Sequence, residues 1–151
     1  MVGSMSTAPG APAPAPPTSV KVLVYSDDAR VREQIRLALG RRPAADLPEL
    51  DLFECATEPA VISAMDRTMK DPNARIDLVI LDGEAVPAGG LGIARQLKDE
   101  IFQCPPLLVL TGRAQDGWLA TWARADAILP HPIDPVRLAE LSAQLLRARL
   151  V

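Results

Sequence analysis

Ile76-Asp77-Leu78-Val79-Ile80-Leu81-Asp82 is almost continuously apolar and then stops on a carboxylate. A strand with one face in water alternates apolar and polar side chains, whereas a run without alternation is covered on both faces, as central strands of parallel sheets are. Leu107-Leu108-Val109-Leu110 reads the same way and stops on Thr111. On either side, Val22-Leu23-Val24-Tyr25 runs into Ser26-Asp27-Asp28, and Ala127-Ile128-Leu129-Pro130 runs into His131-Pro132. In an open parallel sheet these strand ends converge on one crevice, where such folds place their chemistry.

Working outward, strand-like runs near 20–26, 51–56, 76–82, 106–111 and 126–130 alternate with helix-like segments near 29–39, 57–69, 91–101, 115–124 and 134–149. The last helix carries an apolar stripe, Leu138, Leu141, Leu145 and Ala148, at three- and four-residue spacing. It opens on Asp134-Pro135, an N-cap followed by a first-turn proline. Five βα units with short connections predict a doubly wound α/β domain with helices on both faces of the sheet, over residues 20–151. No output domain is expected after the last helix.

Residues 1–19 differ in composition. Ala8-Pro9-Gly10-Ala11-Pro12-Ala13-Pro14-Ala15-Pro16-Pro17 has almost no large side chains and predicts an extended or disordered tail. The alternative is a docking arm that contacts a partner through Pro12, Pro14, Pro16 and Pro17. The chain as a whole is 48% hydrophobic, enough for a core, and only 3% aromatic, so that core is aliphatic. A net charge of −3 argues against a general nucleic-acid binder. There is no apolar run long enough to span a bilayer. Cys55 and Cys104 lack metal or redox spacing and are expected as buried free thiols of a cytoplasmic protein.

Carboxylates at neighbouring strand ends suit a hard divalent cation such as magnesium, which takes one or two carboxylates and keeps several waters. An aspartate beside such a cation can attack a phosphoryl group, with a hydroxyl and a cation steadying its oxygens. Each residue also has a plainer reading: Asp28 as a helix cap, Thr111 as a partner for loop backbone, Asp82 as a turn residue before Gly83. Their joint placement at three strand ends is the stronger signal.

On these residues, together with Pro87, Gly90, Leu110-Thr111-Gly112 and His131-Pro132-Ile133-Asp134-Pro135, the chain resembles the receiver domain of two-component response regulators. The resemblance implies a flavodoxin-like, CheY-like sheet of order 2-1-3-4-5. It also implies Asp82 as phospho-acceptor for a histidine kinase. Magnesium would be held by the acidic residues after the first strand (Asp27 and Asp28), Asp82 and the Glu84 carbonyl, with Thr111 and the residue at His131 contacting the phosphoryl group. In this family that last position is a lysine before a proline, and the bond to that proline is usually cis, as is expected at Pro132.

The departures are as specific as the matches. Counting back from Arg32 sets Ser26 and Asp27 at the acidic pair, so one carboxylate has become a hydroxyl; a one-residue slip would bring in Asp28 instead. His131 is shorter than lysine. Pro87 stands one position late, and Ile128 takes the place of the family's aromatic switch residue. These losses predict a stand-alone, partly degenerate receiver, without enzymatic activity or a required cofactor, that acts by protein–protein contact. The runner-up is a magnesium-dependent phospho-accepting regulator in a phosphorelay. Trp118 and Trp122, four apart on one helical face, are the candidate anchors, at least one of them being expected in the core. Arg113, Arg124, Arg147 and Arg149 read as a solvated rim. The overall look is similar to orphan receiver-like proteins of high-GC actinobacteria, including one associated with the respiratory NADH–quinone oxidoreductase (complex I). That likeness implies an accessory subunit on the cytoplasmic face of the membrane, with a protein partner and no nucleic acid.

Overall fold

A computed structural model describes residues 19–86, 88–112 and 122–150. Five strands, β1 (Ser19–Tyr25), β2 (Glu49–Cys55), β3 (Leu78–Asp82), β4 (Leu107–Thr111) and β5 (Ala127–Pro130), form one parallel sheet in the order β2-β1-β3-β4-β5. Around it lie α1 (Ala29–Leu39), α2 (Glu58–Lys70), a 3₁₀ turn (Pro72–Ala74), α3 (Gly90–Glu100) and a C-terminal helix (Pro135–Leu150). This is the architecture expected from the strand–helix alternation. The helix expected near 115–124 falls mostly outside the described residues, as do the tail prolines Pro12, Pro14, Pro16 and Pro17, and Trp118, Pro87 and Arg113.

Every residue of β3 and β4 is buried, which explains their unbroken apolar sequence. Side chains alternate to the two faces of the sheet. Leu23, Tyr25, Val79, Leu81 and Val109 pack with Val61 and Met65 of α2 and Ile93 and Leu97 of α3. Val22, Val24, Ile80, Leu108 and Leu110 pack on the other side with Ile35 and Leu39 of α1 and Leu138 and Leu146 of the C-terminal helix. Fully burying each such aliphatic side chain stabilises the fold by about 1.5–3 kcal/mol relative to leaving it exposed. At the sheet edge, β2 exposes Asp51, Phe53 and Glu54; the charges discourage pairing with another strand.

Helix ends follow local chemistry. Asp28 caps α1, its Oδ1 accepting from Arg30 N at 2.8 Å, and Gly40 closes the helix at φ 59°. Asp134 caps the C-terminal helix as expected, accepting from Val136 N at 3.0 Å. Two expectations for that helix need correction. Its buried residues are Leu138, Leu141, Ser142, Ala143 and Leu146, with Leu145 half-buried and Ala148 exposed. The helix packs against α1 as well as the sheet, sharing its core with Ile35 and Leu39. The arginines are also not a uniform solvated rim. Arg147 is exposed and makes two 2.8 Å hydrogen bonds to Asp46, and Arg124 pairs with Asp99, but the Arg149 Nε is buried without a partner.

Candidate functional site at the strand ends

Because β1, β3, β4 and β5 are parallel and in register, their last residues meet. Asp82 closes β3 and is only 2% exposed. Ser26, one residue past β1, donates from Oγ to Asp82 Oδ2 at 2.8 Å and is itself fully buried. The Glu84 backbone N–H donates to Asp82 Oδ1 at 2.9 Å. His131, one residue past β5, brings Nε2 to the same oxygen at 3.1 Å. A carboxylate oxygen only accepts, so Nε2 is the protonated ring nitrogen in this arrangement. The His131 backbone is held in turn, its N–H donating to the Thr111 carbonyl at 2.7 Å, and the His131–Pro132 peptide is cis, as expected from the resemblance.

Three protein donors therefore satisfy both oxygens of one buried carboxylate. Hydrogen bonds to a charged acceptor are about twice as strong as neutral ones, so Asp82 is secured by groups the chain itself supplies. The other residues singled out from sequence divide. Thr111 is buried beside the cluster, at the end of β4. Glu84 contributes its backbone N–H, and its side chain lies over Gly112, where any added Cβ would meet it. Asp27 is exposed. The Asp28 carboxylate faces the first turn of α1 and the Arg30 guanidinium, at 3.4 Å, away from Asp82.

The magnesium set implied by the resemblance does not fit this arrangement. A hydroxyl whose proton points at Asp82 replaces one carboxylate, and Asp28 is committed to its helix. Among the described residues no three of His, Cys, Asp and Glu stand together as a metal cluster. Trp122 is 48% exposed, with the Arg95 guanidinium 5.0 Å from its ring centroid and Arg95 Nη1 donating to its carbonyl at 2.8 Å.

Residue-by-residue reading missed two supports of the site. Tyr25, the last residue of β1, is buried, and its hydroxyl donates to the Ala88 carbonyl at 2.5 Å, tying β1 to the loop after β3. The signal was available: a lone tyrosine inside an aliphatic strand needs a partner for its hydroxyl. Burial, and then the nearby Asp27, Glu58 and Asp82 charges, push its pKa up. Arg32 donates from Nη1 to the Ser26 carbonyl at 2.7 Å and pairs with Glu54, fixing the turn that aims Ser26 inward. That contact spans three elements and leaves no local pattern.

Comparison with known proteins agrees with the fold. An uncharacterised response regulatory protein of Mycobacterium tuberculosis, present in two strains, is 55% identical over 131 residues, covering 87% of this chain and 94% of the relative. The chain belongs to the response regulator receiver family. No family model matches it. Among solved structures, a receiver domain protein from Clostridium thermocellum superposes with a TM-score of 0.68 at 20% identity, covering 86% of this chain and 96% of that one. A response regulator from Thermotoga maritima gives 0.67 at 18% identity, covering 85% and 98%. At such identities the solved structures bear on the fold alone, and they share the flavodoxin-like, CheY-like arrangement of this receiver.

Proposed function

We propose that this receiver works as a protein-interaction module, not as a phosphate acceptor, and that it needs no cofactor and catalyses no reaction. One observation carries the reading: both oxygens of Asp82 are occupied by Ser26, Glu84 N–H and His131. Attack on phosphorus needs a free carboxylate lone pair in line with the leaving group and a cation to hold the phosphoryl oxygens. Here three of the carboxylate's roughly four lone-pair sites already accept from the protein's own donors, which leaves one on Oδ2, in a side chain only 2% exposed. The partner to test first is the respiratory NADH–quinone oxidoreductase, with this chain as an accessory subunit on its cytoplasmic side; the likeness to orphan actinobacterial receivers supports it.

The second reading, a phospho-accepting regulator fed by a histidine kinase, is favoured by the burial of Asp82 and Thr111 side by side at the strand ends. Incubation with acetyl phosphate and magnesium, followed by intact-mass measurement, separates the two. The interaction reading expects no mass increase; stoichiometric addition of a phosphoryl group lost on Asp82→Asn establishes the second reading. Native purification of the tagged chain is expected to bring the oxidoreductase with it, and a solitary monomer counts against that partner.

A further inference from the structure

The opposite pole of the sheet, where the strands begin, carries a pocket of about 660 Å³ bounded by the end of α2, the 3₁₀ turn, the α3–β4 loop and the last turn of the C-terminal helix. Part of its rim is apolar and open to solvent: Phe102 is 89% exposed and Met69 58%. Gln103, at φ 55°, forms the left-handed turn directly after Phe102. Two guanidinium groups line the same pocket, Arg75 and Arg149. Arg75 is already compensated, its Nε standing 3.0 Å from Asp77 Oδ1. Arg149 is not: its Nε is buried with no hydrogen-bond partner, and no ion pair reaches it among the described residues. Burial first, and then the Arg75 charge, lower its pKa. Arg149 as a whole is half-buried, but a buried N–H without a partner is costly, and native proteins seldom leave one so.

We infer that this pocket receives an acidic side chain of a partner protein, its carboxylate on Arg149 and the apolar residue beside it against Phe102 and Met69. The inference rests on the reading of this receiver as an interaction module. The charge balance selects the ligand. Arg149, which has no ion pair among the described residues, matches a single carboxylate, whereas a phosphate dianion would also need the charge of Arg75, which Asp77 already neutralises. The rim selects a peptide over a free anion, since exposed aromatic, methionine and arginine side chains are the groups that protein interfaces concentrate. Ser19, where the described chain begins, lines an adjoining pocket that shares Pro72 and Arg75, so a partner that engages the N-terminal tail meets the same pole.

The test is a titration of the isotope-labelled full chain, followed by NMR, with three probes at low ionic strength: the acetylated, amidated pentapeptide Leu-Glu-Phe-Glu-Leu, its lysine counterpart, and inorganic phosphate. The glutamate peptide is expected to move the Arg149 Nε–H and the Phe102 and Gln103 amide signals, and to bind at least tenfold more tightly than the lysine peptide or phosphate. Arg149→Gln is expected to weaken it tenfold or more, and Phe102→Ala severalfold; Phe102 is so exposed that its variant retains the fold. An unmoved Arg149 signal, equal binding of the lysine peptide, or tighter binding of phosphate overturns the inference. The titration involves neither Asp82 nor any respiratory complex, so its failure leaves the proposed function standing. Phosphorylation of Asp82 would overturn that function and leave the pocket untouched.

Discussion

Ser26 does for Asp82 what a second carboxylate cannot: it donates a proton to the buried anion, where a like charge would repel it. Ser26→Ala removes one of three donors from a buried acceptor and is expected to cost about 1–3 kcal/mol, read as a lower urea midpoint. Ser26→Asp restores the acidic pair and sets two carboxylates against each other until a cation bridges them. Its melting temperature is expected to rise with millimolar magnesium, while that of the natural chain changes with neither magnesium nor a chelator; a magnesium-dependent rise in the natural chain would show that Asp82 already holds the cation. Tyr25 gives a second prediction at this scale. Its folded pKa is raised, so its share of stability is complete below the ordinary value of 10.0 and is lost as pH climbs through the folded value. Cys55 acts in the same direction between 9.0 and about 11, because burial disfavours its thiolate. Tyr25→Phe is expected to flatten the alkaline fall in stability and, by losing the bond to Ala88, to cost about 1 kcal/mol near neutrality, both measured by denaturant titration across pH.

Among the elements, α3 shows how closely the scaffold is built around the site. A Cβ on Gly90 would lie 2.8 Å from the Asp82 carbonyl oxygen and 2.9 Å from Leu81 Cβ, so only glycine lets the start of α3 approach the end of β3. Two positions on, a Cβ on Gly92 meets nothing within 4 Å. Gly90→Ala is expected to destabilise by about 1–3 kcal/mol, since backbone must move. Gly92→Ala is expected to stabilise by up to about 1 kcal/mol, since a helix gains an alanine in open space. Thermal unfolding of the two variants checks both signs. Both residues look alike in sequence, within the run Gly89-Gly90-Leu91-Gly92. The neighbour that separates them belongs to another element.

On the scale of the whole molecule, the chain has two poles with opposite chemistry. At the strand ends a carboxylate takes three hydrogen bonds from the protein's own donors; at the strand starts Arg149 has no ion pair among the described residues and stands beside an exposed phenylalanine. If contact with a partner is the function, Asp82→Asn, which keeps the shape of the side chain, leaves co-purification of that partner unchanged. Arg149→Gln is expected to diminish it. Reversal of the two outcomes would place the interface at the crevice. The parallel sheet, its strand boundaries to within a residue or two and the cap at Asp134 were all legible in the sequence, because burial on both faces and helix capping are local rules written in consecutive residues. So was the meeting of Asp82, Thr111 and His131, since parallel strands must end on one side. Which donors satisfy Asp82, and that the Arg149 Nε is buried while Arg147 reaches Asp46, were decided only by tertiary structure. Those outcomes depend on distances between side chains far apart in the chain, and residue order does not contain such distances until the sheet and its helices have packed.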